Sequence, residues 1–274
     1  MLELNHQFRA LDVHAAQTGA VPWTTRGRSI DGEELEREMH QAGVVRAVVF
    51  PAAPAPGAAV EPGYLRANNA VARTAVERPF IAFARINGPR GVGETAASRL
   101  RNLTAVRDER HTSPEDVEQY AYDDRFSGFK LDPGRDGLPD GDTLDALADV
   151  DLPVLVHAGR RFSPTAAAET LLDRGLTVVL EHFGGYPLDR ELMAEAVSLL
   201  DDYERCHLDT SAVRFRSVLE QTLREHPDRV LFGSGSPTVH PSVAVMELLT
   251  LDVPEDAMRK AFTKNPARVI PALD

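Results

Sequence analysis

Three histidines each end a short apolar run: His14 in "ALDVHA", His157 in "LPVLVHA" and His182 in "TVVLEHF". An imidazole, with an ordinary pKa of about 6.5, can take up or release a proton near neutral pH and can also ligate a metal. A single histidine at a strand end is commonly a hydrogen-bonded core residue, but three at the same end of one sheet argue for a functional site. Other polar residues close the neighbouring runs: Lys130 and Asp132 in "GFKLD", Asp209 in "RCHLDTS", and Ser234, Gly235 and His240 around "RVLFGSG". Arg160 and Arg161 directly follow the His157 run and suit a substrate carboxylate, as does Lys130, which could also polarise a carbonyl. The first run adds a puzzle. In a strand Asp12, His14 and Ala16 share one face and Leu11 and Val13 the other, so a second histidine at position 16 would complete a metal clamp. Alanine stands there instead.

The elements that must position these groups follow from punctuation. Eight apolar runs alternate with longer amphipathic stretches, which points to strand-helix units and a parallel sheet. In "DGEELEREMHQAG" (31–43) Asp31 can cap a helix and Gly43 can stop it. In "SPTAAAETLLDRG" (163–175) Ser163 caps, Pro164 takes the first helical position and Gly175 stops. Eight such units within 274 residues have the rhythm of an α/β (β/α)8 TIM barrel forming a single domain over 1–274. An open doubly wound sheet is the alternative, but no Gly-x-Gly-x-x-Gly turn follows the first strand. Two long connections, 51–63 after the second run and 107–124 before the fourth, are candidate lids or plain surface excursions. Trp23 and Arg26, after the first run, could line an entrance.

With 42 acidic and 30 basic side chains the net charge is −12, and no basic stripe interleaved with aromatics occurs, which argues against nucleic acid as a partner. A small-molecule substrate is the expectation. Cys206 is the sole cysteine, so neither an internal disulfide nor a cysteine-based zinc module is available. With no leader-like start and no apolar stretch of membrane-spanning length, a cytoplasmic protein without a membrane partner is expected.

The chain resembles the amidohydrolase superfamily, and within it the amidohydrolase-related branch that includes aminocarboxymuconate semialdehyde decarboxylase and the dicarboxylate lactonases. The resemblance rests on "LDVHAA" in place of Asp-x-His-x-His, on "GFKLDP", "LPVLVHAG" and "VVLEHFGG", on "HPDRVLFGSGSP" in place of Gly-Ser-Asp-x-Pro, and on the closing "FTKNPARVI". In metal-dependent relatives one divalent ion, usually zinc, is held by both histidines of strand one, the strand-five histidine and the strand-eight aspartate. The resemblance therefore implies that His14 and His157 match ligands and that His182 matches a histidine assisting the chemistry, while Ala16 and Gly235 leave two ligand places without a donor. Relatives often form dimers, so a homodimer is open.

Two inherited ligands fall short of the three that catalytic zinc normally keeps. A site needing no tightly bound metal is expected; zinc is the alternative, with His14, His157 and His182 as its holders. His182 is then the first choice for acid-base work, with His157 and Lys130 beside it. His14, Asp12, Asp132, Arg160, Arg161, Asp209 and His240 are expected to contact substrate. Several have duller alternatives: Lys130 paired with Asp132 or Asp12, the two arginines as surface charges, Asp209 as a turn residue. Glu181 should face away from His182 and pair with an outer helix, and Ser234 lacks the elbow of a hydrolase nucleophile. The leading expectation is a hydrolase acting on a small carboxylated or cyclic carbonyl substrate, a lactone or an amide. A decarboxylase, lyase or isomerase on the same scaffold, and a non-catalytic ligand- or protein-binding barrel, are the alternatives.

Overall fold

The computed structural model describes residues 4, 6–17, 30–53, 64–92, 102 and 104–274. Eight parallel strands run in sequential order: β1 (Ala10–Gln17), β2 (Val44–Pro51), β3 (Phe80–Ile86), β4 (Phe126–Leu131), β5 (Val154–Val156), β6 (Val178–Leu180), β7 (Cys206–Asp209) and β8 (Val230–Leu231). The ladder from β1 to β8 is continuous, and three bonds close the circle: Val13 N donates to Phe232 O (2.9 Å), Ala16 N to Ser236 O (2.8 Å) and Gly235 N to His14 O (3.0 Å). The fold is a (β/α)8 barrel, as the alternation of runs predicts. The Gly32–Ala42 helix starts at Asp31, whose side chain accepts from Glu34 N, and stops at left-handed Gly43, both as the sequence indicates. The Pro164–Thr170 helix is capped by Ser163 in the same way.

Alternate strand residues fill the barrel interior. Leu11, Val13, Val48, Phe50, Ile81, Phe83, Leu155, Val179 and Leu231 form one buried cluster, which Ile270 and Leu273 complete from the C-terminal segment. The residues between them, such as Val49, Ala82, Phe129, Val156 and Leu180, pack outward against the helices. Interior positions nearest the strands' C-terminal ends then fall to Arg85, Lys130 and Asp209, which carries charged groups to the barrel mouth while the apolar layers beneath hold them.

One expectation needs correction. The 107–124 connection is not an irregular lid: Pro114–Tyr122 is a helix, opened by a capping box in which Ser113 and Asp116 satisfy each other's backbone N–H, and it packs beside the Gly141–Asp149 helix. Only Val117 and Tyr120 are buried on it, too short a stripe to show as periodicity. The other connection lies outside the described residues from 54 to 63, as do Trp23 and Arg26. No helix among the described residues is long and apolar enough to cross a membrane.

Candidate active site

The mouth of the barrel opens into a cavity of about 600 Å³, the size of a small-molecule pocket. His14, His157, His182, Lys130, Asp132, Arg160 and Arg161 all line it. The three histidines come together as the strand ends imply: the His182 ring centroid is 5.1 Å from His14 and 5.2 Å from His157.

At their centre is Glu181, which the alternation argument sends to the outside. Its Oε1 lies 2.7 Å from Lys130 Nζ and 3.7 Å from His14 Nε2, and its Oε2 accepts from His157 Nδ1 at 3.0 Å. The backbone gives the reason. β6 ends at Leu180, with Val179 inward and Leu180 outward, so Glu181 is the next inward residue. His182 and Phe183 then adopt left-handed φ of 57° and 52°, and Gly184 follows at 68°, a turn that brings the His182 side chain back to the same side. Such conformations cost non-glycine residues roughly 1–2 kcal/mol each. The fully buried Phe183 ring and the bond from His182 N to Asp209 Oδ1 (2.9 Å) hold the turn in place.

β1 also departs from simple alternation. Its register against β2 shifts between Asp12 and Ala15, so Val13 faces the interior cluster while His14 and Ala16 line the cavity. Asp12 does not reach the cavity, which corrects its expected role as a substrate contact. Its Oδ1 accepts from His14 N (2.9 Å) and Ser234 N (2.8 Å), fastening β1 to the segment after β8. Burial lifts its pKa to about 6, against those hydrogen bonds and the His14 charge.

Asp209 does not line the cavity either, which corrects its expected role as a substrate contact, but it is more than a turn residue. Its Oδ2 accepts from His14 Nδ1 at 2.7 Å, and its Oδ1 takes the backbone N–H of His182 and Ser211 and the Ser211 hydroxyl. Burial alone would raise its pKa, but the charge and hydrogen bond of His14 bring it below the ordinary value. Ser211, which no motif or periodicity singles out, has its hydroxyl between the Nδ1 atoms of His182 (2.8 Å) and His14 (3.0 Å).

The titration states follow. Burial alone would lower the His14 pKa, but Glu181 and Asp209 raise it above 6.5, which favours an imidazolium. Burial would raise Glu181, yet His14, Lys130 and His157 pull it well below the ordinary value, so it is ionised. Burial, then the charges on His14 and His157, push His182 down to about 4. Its Nδ1 lies 2.9 Å from the Ser211 carbonyl, which can only accept, so Nδ1 carries the proton and Nε2 keeps its lone pair. A neutral base thus stands among fixed charges.

Arg85 is a second residue that sequence reasoning missed. It follows Ile81 and Phe83 on the inward face of β3 and sits in register with Lys130 on β4. Counting alternation past the last apolar residue would have found it. Asp136 accepts from its Nε (2.8 Å), Pro51 O from its Nη1 (3.1 Å), and the Tyr64 ring lies 5.2 Å away. Asp132 lines the cavity beside it, 3.8 Å from Nη2. Arg160 is tied to Asp189 (3.1 Å) and Arg161 to Gly134 O (3.3 Å) at the rim. His240 does not line the cavity: it caps the Pro241–Leu249 helix, accepting from Ser242 N. Ser234 is buried with its hydroxyl toward His14 O, so it offers no nucleophile.

Two groups of three donors lie close enough to share an ion: His14, His182 and Asp209, and His157, Glu181 and His182. In both, the carboxylate oxygens are already engaged by protein groups. Both Asp209 oxygens already accept protein N–H or O–H groups, and Glu181 carries the Lys130 ammonium on one oxygen and His157 on the other. The Lys130 ammonium lies 2.7 Å from Glu181 Oε1, and Ala16 and Gly235, also in the cavity wall, supply no side-chain donor.

A family model described as amidohydrolase matches residues 12–272, and the chain belongs to that family. No curated protein matches it. Among solved structures, an uncharacterised TIM-barrel protein from Bordetella bronchiseptica is 18% identical with a TM-score of 0.69, over 97% of this chain and 99% of that one. A 2,6-dihydroxybenzoate decarboxylase from Rhizobium is 18% identical with a TM-score of 0.66, with the same coverage. A probable 2-pyrone-4,6-dicarboxylic acid hydrolase from Acinetobacter baumannii is 13% identical with a TM-score of 0.61, over 96% and 100% of the two chains. At these identities the structures share the fold.

Proposed function

We propose that the chain is an enzyme that hydrolyses a small carboxylated or cyclic carbonyl substrate, a lactone or cyclic amide, without a tightly bound metal. The observation that carries this reading is the neutral His182, its Nε2 unprotonated, facing the same cavity as the Lys130 ammonium. The base takes a proton from water as the water attacks the carbonyl carbon. Lys130, held by Glu181, stabilises the oxyanion that develops, and His157, itself hydrogen-bonded to Glu181, orients the substrate or carries the proton on to the leaving group. A buried ammonium supplies fixed positive charge where relatives are expected to use an ion.

The second reading is decarboxylation, favoured by the similarity to the 2,6-dihydroxybenzoate decarboxylase. There the cations would hold the substrate and a histidine would deliver a proton to carbon. Turnover of a panel of lactones, cyclic amides and unsaturated acids in 18O-labelled water separates the two. Hydrolysis puts one labelled oxygen into the product; release of carbon dioxide with no label in the remaining product overturns it in favour of the lyase. Turnover unchanged when both His157 and His182 become alanine would sink both readings of this site, whereas no turnover on any of the panel together with a biological role that survives that double substitution would favour a binding barrel.

A further inference from the structure

A second cavity, of about 850 Å³, adjoins the first, and the two share Gly134, Arg135, Arg160, Arg161 and Phe162 in their walls. Three connections build it. The one after β3 contributes Arg90, the one after β4 contributes Arg135, and the one after β5 contributes Arg160 and Arg161. Backbone bonds lace the first two together: Arg90 N donates to Leu138 O (3.1 Å), Leu138 N to Arg90 O (2.7 Å) and Gly88 N to Asp136 O (3.1 Å). The approach is too close for side chains, since a Cβ on Gly137, whose φ is +78°, would lie 2.1 Å from Gly88 O. The third connection is pressed against the second, where a Cβ on Gly134 would meet Arg161 Cβ at 2.8 Å. The arginines therefore stand on a braced frame.

The charge balance of this chamber runs against that of the protein. Four arginines line it, and among its described lining residues the sole carboxylate is Asp136, already 2.7 Å from the Arg85 guanidinium. Arg160 is paired with Asp189, but Arg90 and Arg161 make no ion pair with any described residue. In a chain of net charge −12, such a concentration of guanidinium groups next to the reaction cavity calls for an anion.

We infer that this chamber is a subsite for an anionic group of the substrate, a carboxylate or a phosphate, remote from the bond that reacts. Substrate would then be an extended molecule, its carbonyl beside Lys130 and His182 and its anionic end held by Arg90, Arg135 and Arg161. The inference rests on the reading of the first cavity as the reaction site, and it deepens that reading by naming a second charge on the substrate.

Calorimetric titration of the full chain with tricarballylate and with inorganic phosphate tests it without turnover. Binding of at least one of them is expected, weakened about tenfold by Arg90→Ala, less by Arg90→Lys, and unaltered by Arg224→Ala at a surface pair. Which anion binds more tightly tells a carboxylate from a phosphate. Equal affinity in wild type and Arg90→Ala, or no binding of either anion, overturns the subsite. His182→Gln separates the two claims, because it should abolish turnover and leave Arg90-dependent binding intact. Turnover that survives His182→Gln while that binding persists would refute the reaction site alone.

Discussion

The Lys130 ammonium lies 2.7 Å from Glu181 Oε1, with both side chains almost completely buried. It is one edge of a cluster in which His14, Lys130, Glu181 and Asp209 bring two positive and two negative charges into the barrel mouth. Breaking a buried pair strands the surviving charge and typically costs about 3–5 kcal/mol. Glu181→Gln should therefore lose stability of that order in urea unfolding, along with activity. The double variant Glu181→Gln, Lys130→Met should regain most of the stability and none of the activity. Equal stability of the single variant and the wild type would show that the pair contributes nothing to the fold.

His182 acts as a base only while neutral, and its pKa is about 4. The pH profile of kcat/KM should consequently stay flat on its acid side until about pH 4 and fall below it. His182→Gln should lower kcat by roughly 10²–10⁴, the usual contribution of a positioned general base. An acid limb near 6.5 that disappears in His182→Gln would contradict the buried, neutral assignment.

His207 occupies the barrel interior on β7, where burial and then Arg268 and Arg229 push its pKa to about 3. As pH falls below the unfolded value of about 6.5 the unfolded chain takes up a proton and the folded one does not, so stability is lost through the window from 6.5 down to 3. His207→Gln removes this contribution. Between pH 6 and pH 4 the stability of wild type relative to the variant should fall by up to about 1.4 kcal/mol per unit, measured by denaturant midpoints. A constant difference would mean that His207 is charged or solvated in the fold.

Prolonged dialysis against a chelator should leave activity on the best substrate of the panel unchanged, with well under one metal ion per chain by elemental analysis. Stoichiometric zinc surviving dialysis, or activity lost and then restored by zinc, would put an ion back among His157, Glu181 and His182.

The barrel and the convergence of its three histidines were legible because both depend on periodic features: apolar runs, caps and the direction of parallel strands. What was hidden arose where periodicity breaks or was not followed far enough. The bulge in β1 turned Asp12 away from the cavity, and no residue type announces a bulge. The left-handed turn at His182 and Phe183 let two consecutive residues face the same cavity, where the assumption of alternation had to give up one of them. Arg85 lay one inward step beyond the apolar run on β3, and Ser211 acts through a hydroxyl of which any serine is capable.

Ile270 and Leu273 seal the barrel at the end away from the histidines. The site is accordingly a dead end. Among the described residues, passage is from the mouth side, and the arginine-lined chamber adjoins the reaction cavity there. A guanidinium set that draws an anion inward also slows the departure of any product that keeps that charge. If the chamber holds the anion, moderate salt, which screens the exposed arginines, should raise kcat through faster release while raising KM through weaker capture, as steady-state kinetics across a salt series would read.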